Sequence, residues 1–168
     1  KTILHINTNM KTTLNITHVL SWINLIIGGL LVAGGLLSML ATPNASILLV
    51  SVVLTGSIVL HSYAALQLRK SIIHPNIPLN KQTPTGIRFI GFMALFFAIL
   101  NIGNAVVIIQ NAAEVIKQIQ LPFKPEGVDL VSMIRGVGIF SLLFSIGIAV
   151  NVLLNIRLLK WYMAKEQE

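Results

Sequence analysis

Four stretches of the chain, about 20–41, 47–68, 86–110 and 136–159, are apolar and contain no acidic residue. Each reaches the roughly 20 helical residues needed to cross a hydrocarbon core of about 30 Å. The runs are continuous rather than alternating, which argues against the strands of a barrel. A backbone in lipid must also satisfy its own N–H and C=O groups, and a helix does so within one segment. Arg88 and Arg157 lie near span ends, where a long basic side chain reaches the headgroups. The pattern therefore predicts an all-α fold: a four-helix transmembrane bundle in one integral membrane domain over residues 1–168. The first run is longer than the about 7–15 residues of a signal-peptide core and is read as a span.

Composition agrees. Apolar residues make up 55% of the 168 and charged residues only 10%, against about 25% in soluble domains. The mean hydropathy is +0.84, so most of the surface must face something apolar. There is no cysteine, which excludes disulfides, thiolate metal sites and a cysteine nucleophile.

The net charge of +7 would point to nucleic acid in a soluble protein. Here the basic residues sit between apolar runs and no nucleic-acid motif is present, so membrane topology explains them better. Arg69, Lys70, Lys81 and Arg88 crowd the linker between the second and third runs, and Arg157, Lys160 and Lys165 follow the fourth. With Lys1 and Lys11 these fall on one side of four spans. The other side holds Lys117, Lys124 and Arg135, offset by Glu114, Glu126 and Asp129. Basic residues accumulate in cytoplasmic loops, so both termini are expected in the cytoplasm, with Trp22, Trp161 and Tyr162 near that interface. The basic face is expected to meet anionic lipid headgroups.

Outside the runs, Lys-Thr-x-Leu-x-Ile occurs twice, from Lys1 and from Lys11. Its polar and β-branched residues make a poor helix. Pro75, Pro78 and Pro84 break the basic linker, and Thr83-Pro84 reads as a cap with proline in a first helical turn. Residues 112–120 look like a continuation of the third run, with Glu114 and Lys117 on one face and Pro122 and Pro125 ending it.

Candidate chemistry is sparse. Only His61 of the four histidines lies well inside a run. His18 is at a different depth, which argues against a shared haem, so His61 is expected as a polar group bonded inside the bundle and no metal or cofactor is expected. No membrane carboxylate is present to couple proton movement. No HExxH, GxSxG or phosphate-loop motif occurs, and no enzyme is expected. What the runs offer is amides and small residues: Asn24, Asn101, Asn104, Asn151 and Asn155, with Ser141, Ser145 and Ala149 forming one small-residue ridge and Gly29 and Ala33 another. Ridges allow close helix approach, and buried amides bond across helices.

YAALQLRKSI (63–72), the polar linker, IRFIGFMALFFAI (87–99) and GIFSLLFSIGIAVNVLLNIRLL (138–159) together resemble a family of four-span bacterial membrane proteins whose function is unassigned. The tail AKEQE (164–168) is similar to the family's short acidic-basic ending. The resemblance implies a link with regulation, because members often neighbour helix-turn-helix regulators, and it supplies no catalytic residue. The resulting expectation is a non-enzymatic, multi-pass protein of a bacterial inner membrane. It is an accessory or regulatory partner that contacts lipid and a protein partner or second copy. The alternative is a small transporter or channel subunit with a neutral, amide-lined path.

Overall fold

The computed structural model describes residues 8–41, 45–118, 127 and 129–165, and the chain is helical almost throughout them. In order come α1 (Thr8–Ala41), α2 (Ala45–Leu48), a π-helical segment (Leu49–Leu54), α3 (Thr55–Ile73), α4 (Thr83–Gln110), α5 (Ala112–Gln118) and α6 (Leu130–Lys165). The all-α expectation holds. The first copy of the Lys-Thr repeat, residues 42–44, Pro122, Pro125 and the last three residues of the tail lie outside the described residues.

The expected four-helix transmembrane bundle does not hold. Among the described residues, three helices are long and apolar enough to cross a membrane: Met10–Leu40, Thr83–Gln110 and Leu130–Lys165. The run 47–68 does not become one helix. Its most apolar part is taken up by α2 and the π-helical segment, and α3 slides toward the polar linker. Within its 19 residues α3 carries Ser57, His61, Ser62, Gln67, Arg69, Lys70 and Ser71, which lowers its hydropathy too far. With the fourth span goes the orientation argued from it, both termini in the cytoplasm. The long apolar helices still support a multi-pass membrane protein.

A second correction concerns residues 8–18, which form the start of α1 despite their poor propensity. Leu14 is buried in a cluster with Leu68, Ile72, Ile87, Leu158 and Leu159, and tertiary packing of this kind outweighs propensity. Thr12 and Thr17 turn their hydroxyls back to the carbonyls of Thr8 and Thr13, at 3.2 and 3.0 Å. α1 and α6, with 34 and 36 residues, are each about 50 Å long at 1.5 Å per residue. Both therefore outrun a hydrocarbon core of about 30 Å.

The Leu14 cluster joins the start of α1, the end of α3, the start of α4 and the end of α6, so these termini share one end of the molecule. Arg69, Lys70, Lys81, Arg88, Lys160 and Lys165 belong to the same end by their places in the chain. Farther in, Ile58, Ala94, Ala98, Phe144, Ile148 and Val152 form the second core cluster. Here α4 shows its small side to α6: Gly91, Ala94, Ala98 and Ala105 are all buried. A β-carbon at Gly138 of α6 would lie 2.8 Å from Ile109 and 3.1 Å from Ile108 of α4, so only glycine fits between these helices as they stand.

Asp129 starts α6. Its Oδ1 accepts from the backbone N–H groups of Val131 and Ser132 at 3.0 and 3.2 Å, and its Oδ2 accepts from the Ser132 hydroxyl at 2.6 Å. This satisfies donors that a helix start leaves unpaired. Pro84 sits in the first turn of α4, as expected, but the capping position is Gln82 and no side chain caps it. α5 is not a continuation of α4: Asn111 ends α4 and a new helix starts at Ala112.

Candidate functional site

The charged residues sit at the ends of the helices, so the interior must be searched for polar groups. Ser21, Asn24, His61, Ser62, Ser145, Asn151 and Asn155 are all buried. Gly28 of α1 packs on Ile58 and Val59 of α3. Asn24 is one turn before Gly28 and Ser62 one turn after Ile58. Because α1 and α3 are antiparallel, Asn24 and Ser62 lie at one level. His61 meets Gly91 of α4, where a β-carbon would be 2.9 Å from the ring Nδ1 and 3.3 Å from Val152 of α6. The Ser21 hydroxyl reaches across to Asn151 Oδ1 at 3.2 Å. These contacts define a polar layer across the molecule, to which α1, α3 and α6 contribute side chains and α4 a glycine.

Part of the layer is self-satisfied. Asn155 Nδ2 donates to the Asn151 carbonyl at 2.8 Å and to Asn151 Oδ1 at 2.9 Å. The two amides thus share one face, one turn apart, as their spacing predicts. The other part is not. Asn24 Nδ2 and Oδ1, both ring nitrogens of His61, Ser62 Oγ and Asn151 Nδ2 make no hydrogen bond within the protein. The Ile87 carbonyl is close enough to act on the His61 ring but does not meet it with bonding geometry. The expectation of a bonded His61 is thus replaced by a packed but unpaired one. A buried polar group without a partner costs about 1–3 kcal/mol, and an intramembrane one is a functional-site candidate.

A second polar contact lies nearer the far end. Asn101 Nδ2 donates to Ser141 at 2.9 Å and to Ser145 at 2.7 Å, and Ser145 donates onward to the Ser141 carbonyl at 2.8 Å. The small-residue ridge of α6 therefore faces α4 through this amide. Asn104 is exposed and takes no part. On α1 the close contact is made by Gly28, whereas Gly29 and Gly34 face open space.

Two grooves adjoin these groups. One of about 410 Å³ is lined by Leu31, Thr55, Phe97, Asn101, Phe140 and Ser141 among others. Another of about 300 Å³ runs between α1 and α6, with Asn24, Ile23 and Ile27 on one wall and Leu143, Phe144 and Gly147 on the other. Phe140 and Phe144 stack with ring centroids 6.3 Å apart and border both grooves.

At the basic end Lys70, Lys81, Arg88, Arg157 and Lys160 are exposed and Arg69 is half-buried; its Nε makes no hydrogen bond. Arg88 Nη2 donates to Met163 Sδ at 3.4 Å, and the Lys165 ammonium lies 4.8 Å from the Trp161 ring centre. Trp161 and Tyr162 pack on the Leu14 cluster, so these aromatics do mark that end. Trp22 donates to His18 Nε2 at 3.1 Å. A cavity of about 280 Å³ between α3 and the linker is lined by Gln67, Ser71, Asn80 and Thr83.

Among the described residues no three of His, Cys, Asp and Glu gather closely enough to hold a metal ion. Sequence reasoning missed Ser21, Ser62 and Gly91, whose importance comes from opposing helices. No family model, curated protein or solved structure matches the chain, so the resemblance to a four-span family, already at odds with three long apolar helices, stands corrected.

Proposed function

We propose that this chain is a non-enzymatic integral membrane protein of a bacterial cytoplasmic membrane, acting as an accessory or regulatory partner in a membrane assembly. The observation that carries the reading is the far half of α1. Leu30, Leu31, Leu36 and Leu37 are 69%, 48%, 44% and 68% exposed. At about 100° per residue they point to all sides of the helix. This length of helix receives little cover from its own chain and is long enough to pack against another transmembrane helix, with Gly29 and Gly34 open for close approach. The exposed basic residues at the other end suit anionic headgroups, each worth about 1 kcal/mol near a charged surface.

Photo-crosslinking residues placed singly at Leu30, Leu31, Leu36 and Leu37 test the reading in native membranes. A discrete protein adduct at adjacent positions on one face is expected. Lipid adducts alone at all four positions would count against an accessory role.

The alternative, a transporter or channel subunit, is favoured by the unpaired groups of Asn24, His61, Ser62 and Asn151. Asn101 is bonded to Ser141 and Ser145 and Asn104 is exposed, so such a path would run through Asn24, His61, Ser62 and Asn151 instead. Solute flux in proteoliposomes that falls with Asn151→Leu would favour the transporter.

A further inference from the structure

The cavity between α3 and the linker differs from the two apolar grooves in what it presents. Tyr63, Gln67 and Ser71 follow one another at four-residue steps on one face of α3. Asn80 of the linker and Thr83 at the start of α4 complete the polar lining. Five of the eight lining side chains are polar and none is charged. Ser71 lies deepest at 4% exposure, yet its hydroxyl, unlike the sealed polar atoms of Asn24, His61 and Ser62, is still reached from outside. Tyr63, Ile77 and Asn80 are exposed and form the rim. Turns shape the linker: the Ile77 N–H donates to the His74 carbonyl and the Gln82 N–H to Asn80 Oδ1, at 2.9 and 3.0 Å. Among the described residues, the hydroxyls of Tyr63, Ser71 and Thr83, the Gln67 amide and Asn80 Nδ2 find no hydrogen-bond partner.

We propose that this cavity binds the polyol headgroup of an anionic phospholipid of the phosphatidylglycerol class. Hydroxyls and amides each donate and accept, so three hydroxyls and two amides are matched by a head that carries hydroxyls itself. The phosphate stays outside, because an ion is costly away from a counter-charge and no charged residue lines the cavity. Outside, the setting is cationic. Lys70 and Lys81, chain neighbours of Ser71 and Asn80, are exposed, and the first 113 residues contain no Asp or Glu. The volume of about 280 Å³ falls below the about 300–1,000 Å³ of sites that hold drug-sized ligands, which suits a head alone. The tail continues along α3, where Leu60, one turn inward from Tyr63, is 56% exposed. That apolar continuation favours a lipid over a free polyol phosphate, and it rests on the membrane reading of the long helices.

The test titrates the full chain, in an amine-oxide detergent that has no hydroxyl to compete, with three lipids of identical acyl chains and reads binding by native mass spectrometry. Phosphatidylglycerol carries a charge and hydroxyls, phosphatidylethanol the same charge without hydroxyls, and phosphatidylcholine no net charge. Phosphatidylglycerol is expected to fill one saturable site about three- to tenfold more tightly than phosphatidylethanol, with phosphatidylcholine weakest. Ser71→Ala and Gln67→Leu should each erase most of that difference and leave phosphatidylethanol binding unchanged, which also shows that the variants stay folded. Lys70→Ala combined with Lys81→Ala should weaken both anionic lipids alike and preserve their ratio. Equal binding of phosphatidylglycerol and phosphatidylethanol, or a ratio untouched by Ser71→Ala and Gln67→Leu, would reduce the effect to general charge attraction and overturn the site. Displacement of the lipid by glycerophosphoglycerol at similar concentration would overturn the lipid in favour of a water-soluble polyol phosphate. Failure of the chain to enter liposomes of any of the three lipids would remove the membrane reading itself, a result distinct from loss of headgroup selectivity.

Discussion

Gly91 and His61 fit together as a flat surface and a ring: a β-carbon on Gly91 would lie 2.9 Å from His61 Nδ1 and 3.0 Å from Cε1. His61 is 1% exposed, so the ring has no free space to retreat into. Gly91→Ala should therefore destabilise the protein by about 1–3 kcal/mol, the usual cost of overpacking. His61→Ala should recover part of that loss, because the two sites are coupled. Thermal unfolding of the two single variants and the double variant in one detergent measures the coupling. Additive losses would show that the ring does not press on α4.

Asn101 and Asn104 are neighbours on α4 with opposite fates. Asn101→Ala removes two hydrogen bonds to α6 and should cost about 1–2 kcal/mol, from about 0.6 kcal/mol for each bond plus the cavity left behind. Asn104→Ala, at an exposed position, should change stability by less than about 0.5 kcal/mol. The same unfolding assay decides, and equal effects of the two substitutions would contradict the α4–α6 contact.

Gly138 and Gly136 make a similar pair on α6. Nothing lies near a β-carbon at Gly136, whereas one at Gly138 would strike Ile109. Gly136→Ala should be neutral or slightly stabilising, since alanine suits a helix better. Gly138→Ala should force α4 and α6 apart, seen as a weaker crosslink between cysteines placed at Ala105 and Val137. An unchanged crosslink yield would refute the tight crossing.

Asp129 gives the start of α6 a pH dependence. Bonds from Ser132, through its hydroxyl and its backbone N–H, hold the carboxyl below its ordinary value of 3.8, with smaller help from Val131 and Arg135. A carboxylate with a lowered folded pKa contributes stability above its ordinary pKa and loses it as pH falls through the lowered value. The protection of the Val131–Met133 amides, measured relative to their intrinsic exchange at each pH, should therefore be full at neutral pH and fall below pH 3.8. Asn at this position keeps a capping oxygen, so Asp129→Asn should flatten the pH dependence. Asp129→Ala should raise exchange at all pH values.

Much of this architecture is legible from hydropathy. The runs at 20–41, 86–110 and 136–159 each lie within α1, α4 and α6 because about 20 apolar residues leave a helix few alternatives. The helix ends were not legible, since residues 8–18 become helical only when Leu14 finds Leu68 and Leu158. The run 47–68 misleads because hydropathy sums over a window without asking where the helix changes its winding. The interior asparagines were recognisable as buried amides, but their partners were not. Pairing Asn101 with Ser141 and Ser21 with Asn151 requires the antiparallel register of separate helices. A usable signal did exist: Gly91, Ala94, Ala98, Asn101 and Ala105 repeat at steps of three and four and mark the α4 seam facing α6.

The π-helical segment Leu49–Leu54 acts as a spare link in the chain. A π turn is an α-helix wound with an additional residue, so the segment stores slack that uniform α-helix lacks. Deleting one residue between Leu49 and Leu54 lets the backbone relax to ordinary winding while Gly28 keeps its seat on Ile58 and Val59. The same deletion between Gly91 and Ala98 rotates every later side chain of α4 by about 100° and turns Asn101 away from Ser141 and Ser145. This stretch of the molecule can therefore absorb a change in length that the α4–α6 seam cannot.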